Sequence, residues 1–199
     1  MFGRTARLAR RDLEVSPAAL RRLAETCDYI VIDSPGGDSH LSRLAHACAD
    51  TLVTPLNDSF VDFDLLGDID ENCADIVRPS IYSEMVWQSR KQKALEARTP
   101  IDWVVLRNRT ATSRIEAKNK QRVGDALKTL SQRIGFRLAP GLSERVIFRE
   151  LFPQGLTLLD LDAESGEGLK MTHLAARQEL RDLFITLKLP GLEGEALKF

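Results

Sequence analysis

Apolar residues are distributed along the chain in two kinds of pattern. Three runs are continuous, Tyr29-Ile30-Val31-Ile32, Thr51-Leu52-Val53-Thr54-Pro55-Leu56 and Trp103-Val104-Val105-Leu106, and Phe136-Arg137-Leu138 makes a shorter fourth. Runs of this kind, without a period of two and bounded by turn residues, predict strands buried on both faces. Between them the spacing becomes helical. Ser16-Pro17 supplies an N-cap and first-turn proline for a helix through Thr26, with Leu20 and Leu23 on one face. Ser39 to Cys48 is helical through Leu41, Leu44 and Ala45, and Asn57-Asp58-Ser59 caps a helix containing Phe60, Phe63, Leu65 and Leu66. The longest helical pattern runs from Ser113 towards Arg133, and a last one from Thr172 to Leu187. Strands alternating with helices predict an α/β fold: a doubly wound, mainly parallel sheet with helices on both faces. Residues 1–199 read as a single domain, with 1–15 a loose basic arm, Glu164 to Gly168 a flexible surface loop and 190–199 a tail.

Composition narrows the class. At 43% hydrophobic and 29% charged, the 199 residues have the apolar material for a core, which excludes disorder as a general description. No apolar run approaches the ~18–20 residues of a spanning helix, and the N-terminus has no secretory pattern, so the expectation is a cytoplasmic protein without a membrane role. Cys27, Cys48 and Cys73 are separated by 21 and 25 positions, which supports neither a disulfide framework nor a zinc site. His40, His46 and His173 form no metal pair, and without a G-x-S-x-G motif they carry no hydrolase signal.

The formal net charge of -1 conceals a lopsided distribution. Trp87 to Arg149 holds 15 Lys+Arg against 5 Asp+Glu, a net of +10, leaving 13 basic and 24 acidic residues elsewhere, a net of -11. Such asymmetry marks either a nucleic-acid or acidic-partner surface or a solvated basic face. Within it, Arg114, Lys118 and Arg122 recur every four residues and share a helix face, with Lys120 off that row. A one-sided basic stripe suits phosphate-backbone binding without sequence readout.

In an open parallel sheet, ligands sit beyond the carboxyl ends of the strands, so the residues after each strand are the candidates for chemistry. The first strand ends in DSPGGD, the second in NDS and the third in RNR. Asp33, directly after four apolar residues, is placed where a strand-terminal aspartate holds Mg²⁺, and Gly36-Gly37 let backbone amides approach a terminal phosphate. The alternative is an ordinary helix cap and turn. Asn108 carries an amide that can pair with a purine edge, or can satisfy its own loop.

These stretches together resemble the MipZ family, division-plane-positioning ATPases of the ParA/MinD group of deviant P-loop NTPases. The resemblance is carried by CDYIVIDSPGGDS (27 to 39), ADTLVTPLNDSFVDFDLLG (49 to 67), the Tyr82 to Leu95 segment, DWVVLRNR (102 to 109), GFRLAPGLSERVIFRELFPQGLTLLDL (135 to 161) and HLAARQELRDL (173 to 183). It implies an ATP- and Mg²⁺-dependent homodimer, associated with the nucleoid and the poles, that binds a ParB-like partitioning protein and non-specific DNA and inhibits FtsZ polymerisation. Carried across residue by residue, it implies that Asp33 is the catalytic and Mg²⁺-site aspartate and that Gly36 and Gly37 sense the γ-phosphate. It also implies that Asn108 and Pro140-Gly141 lie against the adenine, and that Arg114, Lys118, Lys120 and Arg122 face DNA.

Members of that family open with a strand and a GG-x-GKS/T loop, and the 199 residues contain no such segment. The expectation is therefore the C-terminal portion of a longer ATPase domain, nucleotide-deficient in this form. The alternative is a non-catalytic pseudo-ATPase acting as a DNA- or ParB-binding module.

Overall fold

The computed structural model describes residues 5–8, 17–34, 36–57, 59–69, 76–110, 117–161 and 171–192. Its contacts divide the chain into two compact units, Met1–Leu52 with Ser80–Asp102, and Val53–Pro79 with Trp103–Phe199. Cys73, Arg114, the Glu164 to Gly168 loop and most of the expected tail lie outside the described residues.

The first unit begins with strand β1 (Thr5–Leu8), where the sequence reading expected part of a loose arm. It pairs in parallel with β2 (Tyr29–Ile32), Thr5 against Tyr29 through Leu8 against Ile32. The signal for β1 was hidden because Thr5-Ala6-Arg7-Leu8 has neither an apolar run nor a turn boundary. Helix α1 (Pro17–Ala24) joins the two strands and packs on β2. The expectation that β2 is buried on both faces is not met: Val31 is 53% exposed while Ile30 and Ile32 are half-buried. Alternate side chains of a strand point to opposite faces, so Val31 lies on a face that nothing among the described residues fully covers.

Helix α2 (His40–Cys48) is capped by Ser39, whose Oγ accepts the Ser42 N–H at 3.1 Å. Helix α3 (Ile81–Ala97) is capped in the same way by Ser80 and ends at Arg98 in the left-handed conformation. The two helices pack together, with Ser42, Ala45 and His46 of α2 and Ser83, Met85 and Val86 of α3 buried and the His46 ring edge-on to Tyr82. Lys93 of α3 reaches the C-terminal end of α2, donating to the Ala49 carbonyl at 2.6 Å and pairing with Asp50 at 2.7 Å. A cation on the last carbonyls of a helix satisfies orphan acceptors and suits the helix dipole.

The second unit is built on a three-stranded sheet ordered β3 (Thr51–Asn57), β6 (Asp102–Asn108), β7 (Arg137–Ala139). Strands β6 and β7 are parallel, with Val104 against Arg137 and Leu106 against Ala139. Here the sequence expectation holds, since Trp103, Val104, Val105 and Leu106 are all buried. On one face Val104, Leu106 and Ala139 form a core with Leu183 and Leu187 of helix α6 (Met171–Leu187). On the other face Trp103 meets Phe136 in a tilted ring contact at 5.4 Å and donates its Nε1–H to Thr54 at 3.0 Å. Helix α4 (Ala117–Leu130) lies on that face too, because Arg107, which alternates with Val105, extends its guanidinium against Gly124. Covered on both faces by helices, this is the α/β architecture the sequence predicted.

Three local features differ from the sequence reading. The segment Phe60–Leu65 is a 3₁₀ helix, and it is the Asp62 carboxylate that accepts the Asn57 N–H, at 2.8 Å, rather than Asn57 capping an α-helix. Strands β4 (Gly67–Ile69) and β5 (Ile76–Pro79) form an antiparallel pair, unforeseen because neither shows an apolar run of strand length. The long basic helix is described over Ala117–Leu130, its expected start at Ser113 lying outside the described residues, and it passes into a π-type turn over Ser131–Gly135 rather than running on as α-helix. A short helix, α5 (Val146–Leu151), packs with Leu158 onto Ala176 of α6.

Candidate nucleotide-contacting loops

Each unit presents one strand-terminal segment of the kind expected to carry chemistry. In the first, β2 ends at Ile32 and the chain turns through Asp33, Ser34, Gly36 and Gly37 into α2. Asp33 is exposed, and a Cβ on Gly36 or Gly37 would meet nothing within 4 Å, so both backbones are open to a ligand. The trailing side of the loop is pinned. The buried Ser42 hydroxyl donates to the Gly37 carbonyl at 2.8 Å and lies 2.9 Å from Ser39 Oγ. Arg43 grips Asp38 through two bonds of 2.7 Å, which holds the Asp38 carboxyl below its usual range and the Arg43 guanidinium above its own. Asp38 is thereby committed to a guanidinium, while Asp33 is an exposed residue of the same loop. Among the described residues no group of three or more His, Cys, Asp or Glu is arranged to hold a metal ion. A Mg²⁺ held by one carboxylate and nucleotide phosphates needs no such group.

The second unit brings Asn108, Pro140 and Gly141 together. Strand β7 ends at Ala139 because Pro140 has no N–H to continue the ladder. Beyond it, Leu142 N–H donates to the Arg107 carbonyl at 2.8 Å, Thr110 N–H to the Leu142 carbonyl at 3.0 Å and Glu144 N–H to the Thr110 carbonyl at 3.2 Å. The residues around Asn108 therefore run directly beside Gly141. The approach is close: a Cβ on Gly141 would sit 2.6 Å from Thr110 Cγ2 and 3.2 Å from Arg107 Cβ, so only glycine fits. Arg109, next to Asn108, has φ 52°, a left-handed conformation that a non-glycine residue adopts at a cost. Asn108 is half-buried at the strand end.

The basic residues divide by role. Arg90 donates to the Ile101 carbonyl, Lys93 to the end of α2, Arg137 to the Thr186 carbonyl at 2.6 Å and Arg145 to Glu179. Much of the basic segment thus ties elements together. Lys118, Lys120 and Arg122 lie on α4, and Arg122 is exposed. Sequence reasoning passed over Ser42, Asp38, Arg43, Thr110 and Glu179. Ser42 had a usable signal, standing three residues after an N-cap serine that follows two glycines.

A parallel α/β sheet with polar, glycine-bearing loops beyond its strand ends is the fold class of P-loop NTPases. The family profile described as ATPase MipZ matches residues 8–191, and the chain belongs to that family of division-positioning ATPases. A comparison with curated proteins yields no match. Family membership implies nucleotide use. Within the first unit a diglycine loop stands open, and within the second an amide-bearing strand end lies beside a glycine notch. The 199 residues contain no GxxxxGK[ST] motif, the phosphate-cradling loop of P-loop enzymes. No described helix is long and apolar enough to cross a membrane.

Proposed function

We propose that this chain serves division-plane positioning, acting on FtsZ assembly in concert with a ParB-like partner and nucleoid DNA, with adenine-nucleotide occupancy setting its homodimeric state. The observation that carries the reading is the family match over residues 8–191, which spans both strand-terminal loops. The geometry supports it in two places. The Asn108 end of β6 is locked beside Gly141, and the Gly36-Gly37 backbone stands open ahead of α2. On this reading Asn108 meets the base edge with Pro140-Gly141 against the ring, Gly36 and Gly37 read the last phosphate, and Asp33 holds Mg²⁺ when it is bound. Lys118, Lys120 and Arg122, with Arg114, make the phosphate-backbone contacts to DNA, and the protein gathers at nucleoid and poles.

The direct test is FtsZ sedimentation. With GTP, rising amounts of this chain are expected to lower the pelleted polymer, more strongly when Mg·ATP is added. An effect indifferent to ATP would make the chain a nucleotide-independent binding module for DNA or a ParB-like protein. No effect on FtsZ would remove the division reading. Lys118→Glu with Arg122→Glu should weaken DNA binding evenly across sequences and flatten its salt dependence.

A further inference from the structure

Glu179 makes more contacts than a surface helix residue needs. From α6 its carboxylate accepts Ser143 N–H at 3.1 Å and Ser143 Oγ–H at 2.8 Å, and both Arg145 Nε at 3.3 Å and the terminal Arg145 nitrogen at 2.6 Å. The pair is largely enclosed, with side chains 17% exposed for Arg145 and 21% for Glu179. Burial opposes the charge on Glu179, and the hydrogen bonds from Arg145 and Ser143 outweigh it, holding the carboxyl below its ordinary range. Each carboxylate oxygen therefore has two donors, which fixes the fork in one orientation.

Helix α6 does not need this fork to stay in place. Ala176 and Leu180 are anchored in the cluster with Leu151 and Leu158, Leu183 and Leu187 lie on the sheet, and Arg177 donates to the Leu158 and Leu161 carbonyls. A buried ion pair contributes little net stability compared with apolar packing, and its best-attested use is to fix a register. What Glu179 fixes is Ser143 to Arg145. That segment bridges to Thr110 through the Thr110–Ser143 pairing, and it follows Gly141 by two residues. The fork is thus one bond removed from the strand end bearing Asn108.

We infer that Glu179, with Arg145, is a positioning residue that holds the Pro140–Ser143 segment against the Asn108 strand end and so sets discrimination between adenine and guanine nucleotides. This rests on the nucleotide reading of Asn108. Neither residue touches the base. Adenine and guanine differ in the donors and acceptors they present at one edge, and telling them apart requires partners fixed to a fraction of an ångström.

The test is an amide chemical-shift titration of the chain with Mg·ATP, Mg·GTP and tripolyphosphate, read at Asn108 and Gly141. The unsubstituted chain is expected to bind ATP in preference to GTP. Glu179→Ala and Arg145→Ala should each cut that preference at least fivefold, leave tripolyphosphate affinity unchanged and show no further loss when combined. Glu179→Gln, which keeps the shape and an acceptor for Ser143, should retain part of the preference and serves if the alanine variants do not fold. An unchanged ATP-to-GTP ratio in these variants, with Asn108 still responding to ATP, overturns the positioning role and leaves the nucleotide reading intact. No response of Asn108 to ATP in the unsubstituted chain overturns the nucleotide reading and the role of Glu179 with it.

Discussion

The Ser42 hydroxyl donates to the Gly37 carbonyl across 2.8 Å, so the first turn of α2 holds the loop that leads into it. The same hydroxyl lies 2.9 Å from the Ser39 side chain that caps the helix. Removing the hydroxyl takes that partner from the Gly37 carbonyl, and because Gly37 is exposed water replaces it in part. Ser42→Ala should cost about 1 kcal/mol in urea unfolding and speed amide exchange at Gly36, Gly37 and Asp38. Unchanged exchange in that loop would show that Arg43 and Asp38 alone hold it.

Gly141 lies too close to Thr110 for any side chain. Gly141→Ala should lose about 1–3 kcal/mol by overpacking against a buried β-branched residue. Thr110→Ser removes the methyl in the way, so the double variant should recover part of that loss. If Thr110→Ser gives no recovery, the clash is with the Arg107 backbone and side chain instead.

His46 is 5% exposed, its Nδ1 has no hydrogen-bond partner among the described residues, and its ring meets Tyr82 edge-on at 5.9 Å. Burial lowers its pKa from the ordinary 6.5, which makes the folded state favour the neutral ring. The unfolded chain then binds the proton more readily, so this contribution is complete above pH 6.5 and is lost as pH falls below it. Folding stability of the unsubstituted chain should decline from pH 7 towards pH 5, as measured by denaturant titration across about that range. His46→Phe should flatten that part of the profile, and an identical slope would assign the pH dependence to other groups.

Lys93 joins α3 to the end of α2 by two unlike bonds. Its ion-pair partner Asp50 is 97% exposed, and solvent screens that pair, whereas the Ala49 carbonyl lies where Lys93 itself is only 12% exposed. The carbonyl contact should therefore dominate. Lys93→Met is expected to lower stability by about 1–2 kcal/mol in thermal or chemical unfolding, while Asp50→Asn stays close to the unsubstituted protein. A larger effect from Asp50→Asn would reverse that order.

The sequence made some elements plain and concealed others for identifiable reasons. Strand β6 announced itself because four buried residues in succession have no amphipathic alternative, and α2 because Ser39 marks its start. Val31 misled, since an apolar run does not say whether a layer covers both of its faces. Strand β1 and the β4–β5 pair are short and mixed in character, so their partners rather than their composition make them strands. In the candidate site, Asp33, Gly36, Gly37 and Asn108 were visible as polar residues at strand ends. Thr110 and Glu179 were not, because each acts through a residue far enough away that no spacing rule links them, whereas Ser42 was passed over although its spacing from Ser39 was readable. Glu179 lies 36 positions from Ser143.

The proposed function depends on nucleotide use by these residues, and amide shifts on titration with Mg·ATP test it most directly. Without a GxxxxGK[ST] loop in these residues, binding is expected to be weak, at about millimolar affinity, or roughly 4 kcal/mol. The predicted result is saturable shifts at Gly36, Gly37, Asn108 and Gly141, with the Mg²⁺ dependence of the Gly36 and Gly37 shifts lost in Asp33→Asn. Shifts confined to the basic face of α4, or none at these four residues, would contradict it.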